Sequence, residues 1–220
     1  MKKLSIIAAL LLSSTIYAGT TTTTSGVVST NCVSTTSGNV SCRVQLVEGI
    51  DGPSTYYELG KLIETLKEGD VIRINVNGPG GRVDGLGYLY NKIKASKGKV
   101  IMVVDGDVAS ADAAIALSSD YIVLPAQAYW LFHAASSTNM TEQICTSSKG
   151  ELDRGKDAYS VCVKYMNEIT NIYNKLMVRT YEKVLTKEEI ASLLKGETIV
   201  LSNDEVKERL LKNNTINIVE

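Results

Sequence analysis

One serine, the single histidine and two glycine-rich turns fall within residues 71–133 of the 220-residue chain, in an order that suits acyl transfer. Ser110 lies in Gly106-Asp107-Val108-Ala109-Ser110-Ala111, where a strand and loop pass into a run of small residues. The N–H of Ala111 then belongs to the first turn of a helix, where backbone donors have no partner within the helix. His133 follows twenty-three residues later and ends the run Tyr129-Trp130-Leu131-Phe132. Upstream, Asn77-Gly78-Pro79-Gly80-Gly81 closes a strand with backbone amides that an oxyanion can approach. A nucleophile at Ser110, a general base at His133 and amide donors at Gly81 and Ala111 make up the parts. Each also has a plain structural use: serine caps helices, and glycines make turns. Two glycines after the proline nevertheless exceed the one left-handed residue that such a turn requires.

The elements around these residues follow a strand, turn, helix rhythm. Val71-Ile72-Arg73-Ile74-Asn75-Val76 alternates apolar with polar residues and is rich in β-branched side chains, so it predicts a strand. A helix is expected from about Asp84 to Lys97, with Leu86, Leu89, Tyr90 and Ile93 on one face. A second strand, Val100–Val104, is expected to break at Asp105-Gly106-Asp107. Val108-Ala109-Ser110-Ala111 should open a helix running to about Ser118, followed by a third strand from Tyr121 to Leu124. Repeated in this way, the rhythm predicts an α/β fold with a parallel sheet and right-handed crossovers.

Three segments, Asn75–Gly81, Gly106–Ser110 and Phe132-His133, resemble in order and spacing the proteolytic subunit of the Clp protease. The resemblance extends from about Val44 to Asn213 and includes a long helix after the histidine and a late Leu201-Ser202-x-x-Glu205-Val206 segment. It implies the ββα superhelix shared with crotonases, with the long helix following the active-site histidine strand. It also implies a serine-type peptidase, an oxyanion amide from the Pro-Gly-Gly turn, and self-association through the long helix. From Gly150 to Val184 the pattern is helical, with Val161, Tyr165, Ile169, Ile172, Leu176 and Tyr181 as its apolar positions.

Two positions depart from the family pattern. The family's aspartate precedes the Leu-Ser that opens the last helix, and counting back from Leu201-Ser202 reaches Thr198, with Glu197 beside it. A hydroxyl at Thr198 can orient an imidazole, and Glu197 can do so after a one-residue shift. Asp112 stands two residues after the serine, where the family tends to have glycine. A carboxylate there opposes developing negative charge unless it points away.

Elsewhere, the chain begins with Met1-Lys2-Lys3, a short apolar run from Leu4 to Leu12 and a small residue at Ala18, the pattern of a secretory signal peptide covering residues 1–18. A retained membrane anchor is the alternative, but the apolar run is short for a span. Residues 19–30 are rich in threonine and serine and predict a disordered spacer before a Clp-protease-like domain at 31–220. With export, four cysteines are most simply read as two local disulfides, Cys32–Cys42 and Cys145–Cys162. No Cys-x-x-Cys spacing suggests zinc, and no metal or organic cofactor is implied. A net charge of −1 and the lack of polybasic runs give no footprint for nucleic acid. A dinucleotide-binding unit fails because position 83, where the third glycine of that fingerprint should fall, is Val83.

Around this core we expect Ser54–Leu66 to form a helix using Tyr57, Leu59, Leu62 and Ile63 as core positions, after a first strand at Cys42–Val47. Leu185–Glu189 predicts an N-capped short helix, Thr198–Leu201 a final strand and Ser202–Lys212 a last, serine-capped helix. The expected protein is exported, periplasmic or secreted. It cleaves short or unfolded peptides through a Ser110 acyl-enzyme, without an ATP-driven unfoldase. The alternatives are a binding or assembly module of the same fold that lacks the triad acid, and a crotonase-like thioester hydrolase. Export disfavours the latter, because acyl-CoA is cytosolic.

Overall fold

The computed structural model describes residues 16–17, 29–46, 53–124, 127–135, 145 and 155–219. The strands, in chain order, are β1 (Ile16–Tyr17), β2 (Ser29–Ser34), β3 (Val40–Leu46), β4 (Val71–Gly78), β5 (Lys99–Ala109), β6 (Tyr121–Val123), β7 (Tyr129–Phe132), β8 (Ile199–Ser202) and β9 (Asn217–Ile218). The helices are α1 (Pro53–Glu64), α2 (Leu86–Ala95), α3 (Ala111–Ala116), α4 (Gly155–Tyr181), α5 (Lys187–Leu194) and α6 (Asn203–Asn213). Most of the expected signal sequence, its cleavage point at Ala18 and the spacer to residue 28 lie outside the described residues. Within that region, Ile16–Tyr17 pairs with Cys32 and Val33 of β2.

One sheet runs in the order β1-β2-β3-β4-β5-β6-β9. The β3–β4–β5–β6–β9 stretch is parallel, as the strand–helix rhythm predicts. Strand β5 forks: Ile101–Val103 pairs with β6, and Val108–Ala109 pairs with β7, which in turn pairs antiparallel with β8. The fork forms because β5 does not stop at Asp105-Gly106-Asp107, contrary to the break the sequence predicts. The polar residues there have partners. Asn75 donates to the Asp105 carboxylate at 2.7 Å, and the Tyr129 N–H donates to Asp107 at 2.8 Å. A Cβ on Gly106 would stand 2.3 Å from the Asn77 side chain, so glycine lets the two strands approach across the irregularity between Val76 and Gly78. Val108 and Ala109 are therefore strand rather than helix, and α3 begins only at Ala111.

The core forms where the periodicities predict. Leu86, Leu89, Tyr90 and Ile93 are the buried face of α2. In α1 the buried aromatic residue is Tyr56, not Tyr57, which is exposed. Tyr56 donates to the Arg82 carbonyl at 2.5 Å and so ties α1 to the turn after β4. The capping boxes at Thr186 and Ser202 are both formed, each closed by a glutamate three residues on. Strand β8 starts at Ile199, leaving Thr198 just ahead of it. Cys32 and Cys42 face each other across β2 and β3 and are bonded, and Ser29 and Thr30 already belong to β2. Cys145 is bonded to Cys162 of α4. Among the described residues no helix is long and apolar enough to cross a membrane.

Candidate active site

Two chain reversals meet at the end of β4 and β5. Ser110 turns sharply from β5 into α3 with φ 54° and ψ −118°, a region that residues with a side chain rarely occupy. Holding a serine there costs of order 1–3 kcal/mol and persists only where neighbours enforce it. Three contacts enforce it. The Ser110 N–H donates to the Leu131 carbonyl at 2.9 Å, its carbonyl accepts from the Ala114 N–H at 3.1 Å, and the Tyr181 hydroxyl donates to that same carbonyl at 2.9 Å. Lys183, just past α4, grips the other end of α3. It donates to the Leu117 and Ser119 carbonyls, and burial, with Lys94 near, pulls its pKa down to about 8. The Ser110 turn is thus held by Tyr181 at the end of α4, and the far end of α3 by Lys183 just past it.

The glycine turn packs directly on this elbow. Gly80 and Gly81 have φ of 87° and 138°, the left-handed side where a Cβ is penalised. A Cβ on Gly80 would fall 2.5 Å from the Ala109 carbonyl, 2.7 Å from Ser110 Cβ and 2.9 Å from the Ala111 nitrogen. The two candidate oxyanion donors, the amides of Gly81 and Ala111, thus belong to backbone segments in contact. The sequence pattern names Gly81 as the donor; the close approach makes Gly80 just as necessary.

His133 is half-buried and follows β7 directly. The antiparallel register pairs Leu131 with Val200 and Phe132 with Ile199, so one more step sets His133 opposite Thr198. Glu197 is exposed, and its N–H donates to the Ser192 carbonyl at 3.2 Å. Among the described residues no hydrogen bond joins Ser110, His133, Thr198 and Glu197 to one another, and nothing ties a carboxylate to the histidine. Hydrogen bonds of this kind are commonly loose before substrate binds.

Side chains alternate along β7 and β8, so Trp130, Phe132 and Leu201 enter the core while Tyr129, Leu131 and Val200 line an open groove of about 360 Å³. His133 and Thr198 share the parity of the groove side. The far wall of the groove comes from Gly78, Pro79, Val108 and Ala109, the two strand ends that carry the glycine turn and Ser110. Trp130 is anchored from behind, its indole N–H donating to Asn203 Oδ1 at 2.6 Å.

Asp112 is buried in the first turn of α3. One carboxylate oxygen accepts the Gly80 N–H at 3.1 Å; the other is buried without a partner among the described residues. Burial raises its pKa to about 6, the Gly80 bond offsetting only part of that effect. The position was legible as a departure from glycine, but its partner was not.

The family model of the Clp protease matches residues 58–199, from within α1 to the first residue of β8. The chain belongs to the Clp protease family. Its segments for the glycine turn, the serine elbow and the histidine strand all fall inside that match. A solved structure of a ClpP1 point mutant from Listeria monocytogenes shares the fold, with a TM-score of 0.54 at 19% identity. The alignment covers 81% of this chain and 91% of that one. No curated relative matches the sequence. The family is one of serine peptidases, and the crotonase-like architecture expected from the motifs is the one observed.

Proposed function

We propose that the protein hydrolyses peptide bonds of short or already unfolded peptides through a covalent Ser110 acyl-enzyme. The observation that carries this reading is the strained Ser110 elbow in backbone contact with Gly80, next to the groove lined by Val108, Ala109 and Leu131, with His133 two residues beyond Leu131. Ser110 Oγ attacks the scissile carbonyl while the imidazole of His133 takes its proton. The carbonyl oxygen, now negative, is received by the Gly81 and Ala111 amides. His133 then returns the proton to the departing amine, and a water activated in the same way releases the acid product. The largely apolar groove lined by Tyr129, Leu131 and Val200 suits an apolar side chain of the substrate. Thr198 is the favoured partner for orienting the histidine, a reading supported by extending the β7–β8 register one step past the Phe132–Ile199 pair.

Two wider features of the reading rest on the sequence and the surface. The helix α4 exposes Val161, Tyr165 and Ile172, each mostly accessible, which suits coverage by a second copy of the chain. The signal-like start and the two disulfides support an exported location, where peptides would be taken without an ATP-driven unfoldase. A second reading, a binding module that kept the fold, is favoured by one feature: no described carboxylate is hydrogen-bonded to His133.

A fluorophosphonate should label Ser110 in the mature protein, and Ser110→Ala or His133→Ala should abolish labelling. Labelling that survives Ser110→Ala overturns the assignment; no labelling of the wild type supports the binding module. For the third member, Thr198→Val should slow labelling roughly 10–100-fold, the value of a lost orienting hydrogen bond, while Glu197→Gln is nearly silent. The reverse result transfers the role to Glu197.

A further inference from the structure

Asp112 lies two residues after Ser110, and its surroundings leave it poorly served as an anion. Its residue is 2% accessible, and its only hydrogen bond among the described residues comes from the Gly80 amide. A buried carboxylate oxygen with no donor is uncommon, because a charged group then loses its hydration without replacement. The position is also sensitive. Gly80 touches Ala109, Ser110 and Ala111, and Gly81 is the very next residue, about 4 Å along the chain. The carboxylate therefore holds the residue that precedes one candidate oxyanion donor, Gly81, and Asp112 itself directly follows the other, Ala111.

Among the described residues no cation is paired with it. From α1, Tyr56 faces Asp112, and burial together with the Asp112 charge keeps its hydroxyl protonated. From α4, Tyr181 is buried with its hydroxyl on the Ser110 carbonyl, and Arg179 lies over the Tyr90 ring. Lys92 and Lys94 of α2 are paired with Glu64 and Asp120. Arg82 in the turn after β4 is paired with Asp84. On β4, Arg73 lies five residues before the strand's end; on β5, Lys99 stacks on Tyr121, Asp105 binds Asn75, and Asp107 accepts from Tyr129 of β7. His133, beyond the end of β7, is not hydrogen-bonded to Asp112.

We propose that Asp112 is a positioning residue that controls the oxyanion hole through its charge: ionised, it holds the Gly80 amide and opposes the oxyanion; protonated, it removes that opposition. The inference rests on the Ser110 acyl-enzyme reading for its catalytic half, while the Gly80 half stands on geometry alone. The raised pKa of about 6 places the change close to neutrality. At neutral pH the enzyme is then held below its capacity, and mild acid releases it.

The test has two readouts on the full-length mature protein. In glycine-¹⁵N-labelled wild type, the Gly80 amide resonance should move with a single transition between about pH 5 and 7, and Asp112→Asn, which keeps an acceptor oxygen but no charge, should flatten it. In the second, Asp112→Asn should be labelled by a fluorophosphonate roughly 10–100-fold faster than wild type at pH 8, the effect of one like charge several ångströms away, and equally fast at pH 5. A Gly80 amide that does not titrate, or superimposable pH profiles for the two proteins, overturns the proposal. A Gly80 amide that titrates in a protein never labelled overturns the acyl-enzyme reading and retains Asp112 as the anchor of the turn.

Discussion

The Tyr181 hydroxyl donates to the backbone carbonyl of Ser110 at 2.9 Å, across 71 residues of sequence. The last turn of α4 thereby holds the Ser110 elbow. Tyr181 also meets Phe132 edge to face at 5.0 Å, next to His133. One buried residue thus holds Ser110 and packs against the neighbour of His133. Tyr181→Phe should cost about 1 kcal/mol of stability, the net worth of one buried hydrogen bond whose acceptor keeps the Ala114 donor. It should also slow labelling of Ser110 severalfold, because the strained φ is held less firmly. Urea denaturation and labelling kinetics check both, and an unchanged labelling rate would show that Leu131 and Ala114 suffice.

Gly80→Ala and Gly38→Ala make a matched pair, since both glycines have φ above 80°. At Gly38 a Cβ meets nothing within 4 Å, so the substitution should cost only the left-handed strain, about 1–2 kcal/mol, with labelling unchanged. At Gly80 the Cβ strikes the Ala109 carbonyl and the Ser110 side chain, which adds about 1–3 kcal/mol of overpacking. Labelling should fall more than a hundredfold, because a displacement of about 1 Å at the reacting centre is enough for that. Equal losses for the two variants would contradict the close approach of the turn to the elbow.

Stability should depend on pH through Asp112. Its folded pKa, about 6, lies above the ordinary value of 3.8, so the folded state binds the proton more tightly than the unfolded chain. The stabilisation is complete below about pH 4 and is lost as the pH rises through 6. The gap between the two values corresponds to about 3 kcal/mol. Asp112→Asn should therefore exceed wild type in stability by up to that amount at pH 8, with the advantage shrinking toward pH 4. Urea midpoints at the two pH values decide it, and a constant difference would mean that charge is not the cause.

The Cys32–Cys42 bridge closes a loop between directly opposed residues of β2 and β3, with 10 residues of separation. In the chain-entropy account it is worth about 2–3 kcal/mol. Replacing both cysteines with serine should lower the urea midpoint accordingly while leaving labelling of Ser110 intact, because β2 and β3 lie on the side of β4 away from β5. A variant that folds equally well without the bridge would refute the estimate.

Local sequence was enough to specify most elements. Period-two alternation marked β4, a single apolar face marked α2, and Thr186 and Ser202 with their paired glutamates marked the starts of α5 and α6. These signals are written in spacing within one or two turns of chain. Ser110, His133 and the glycine turn were legible for the same reason, since each motif is contiguous. Other features arise only when distant segments pack together. That β5 runs through Asp105-Gly106-Asp107 depends on Asn75, Asn77 and Tyr129 arriving from other strands to satisfy a stretch that reads as a break. That Tyr57 is exposed while Tyr56 is buried depends on which way α1 turns toward Arg82 and Gly85. The hold of Tyr181 on Ser110, the pairing of Phe132 with Ile199 and the grip of Asp112 on Gly80 join residues far apart in the chain. Their pairing follows from sheet order and helix packing, which no local pattern encodes.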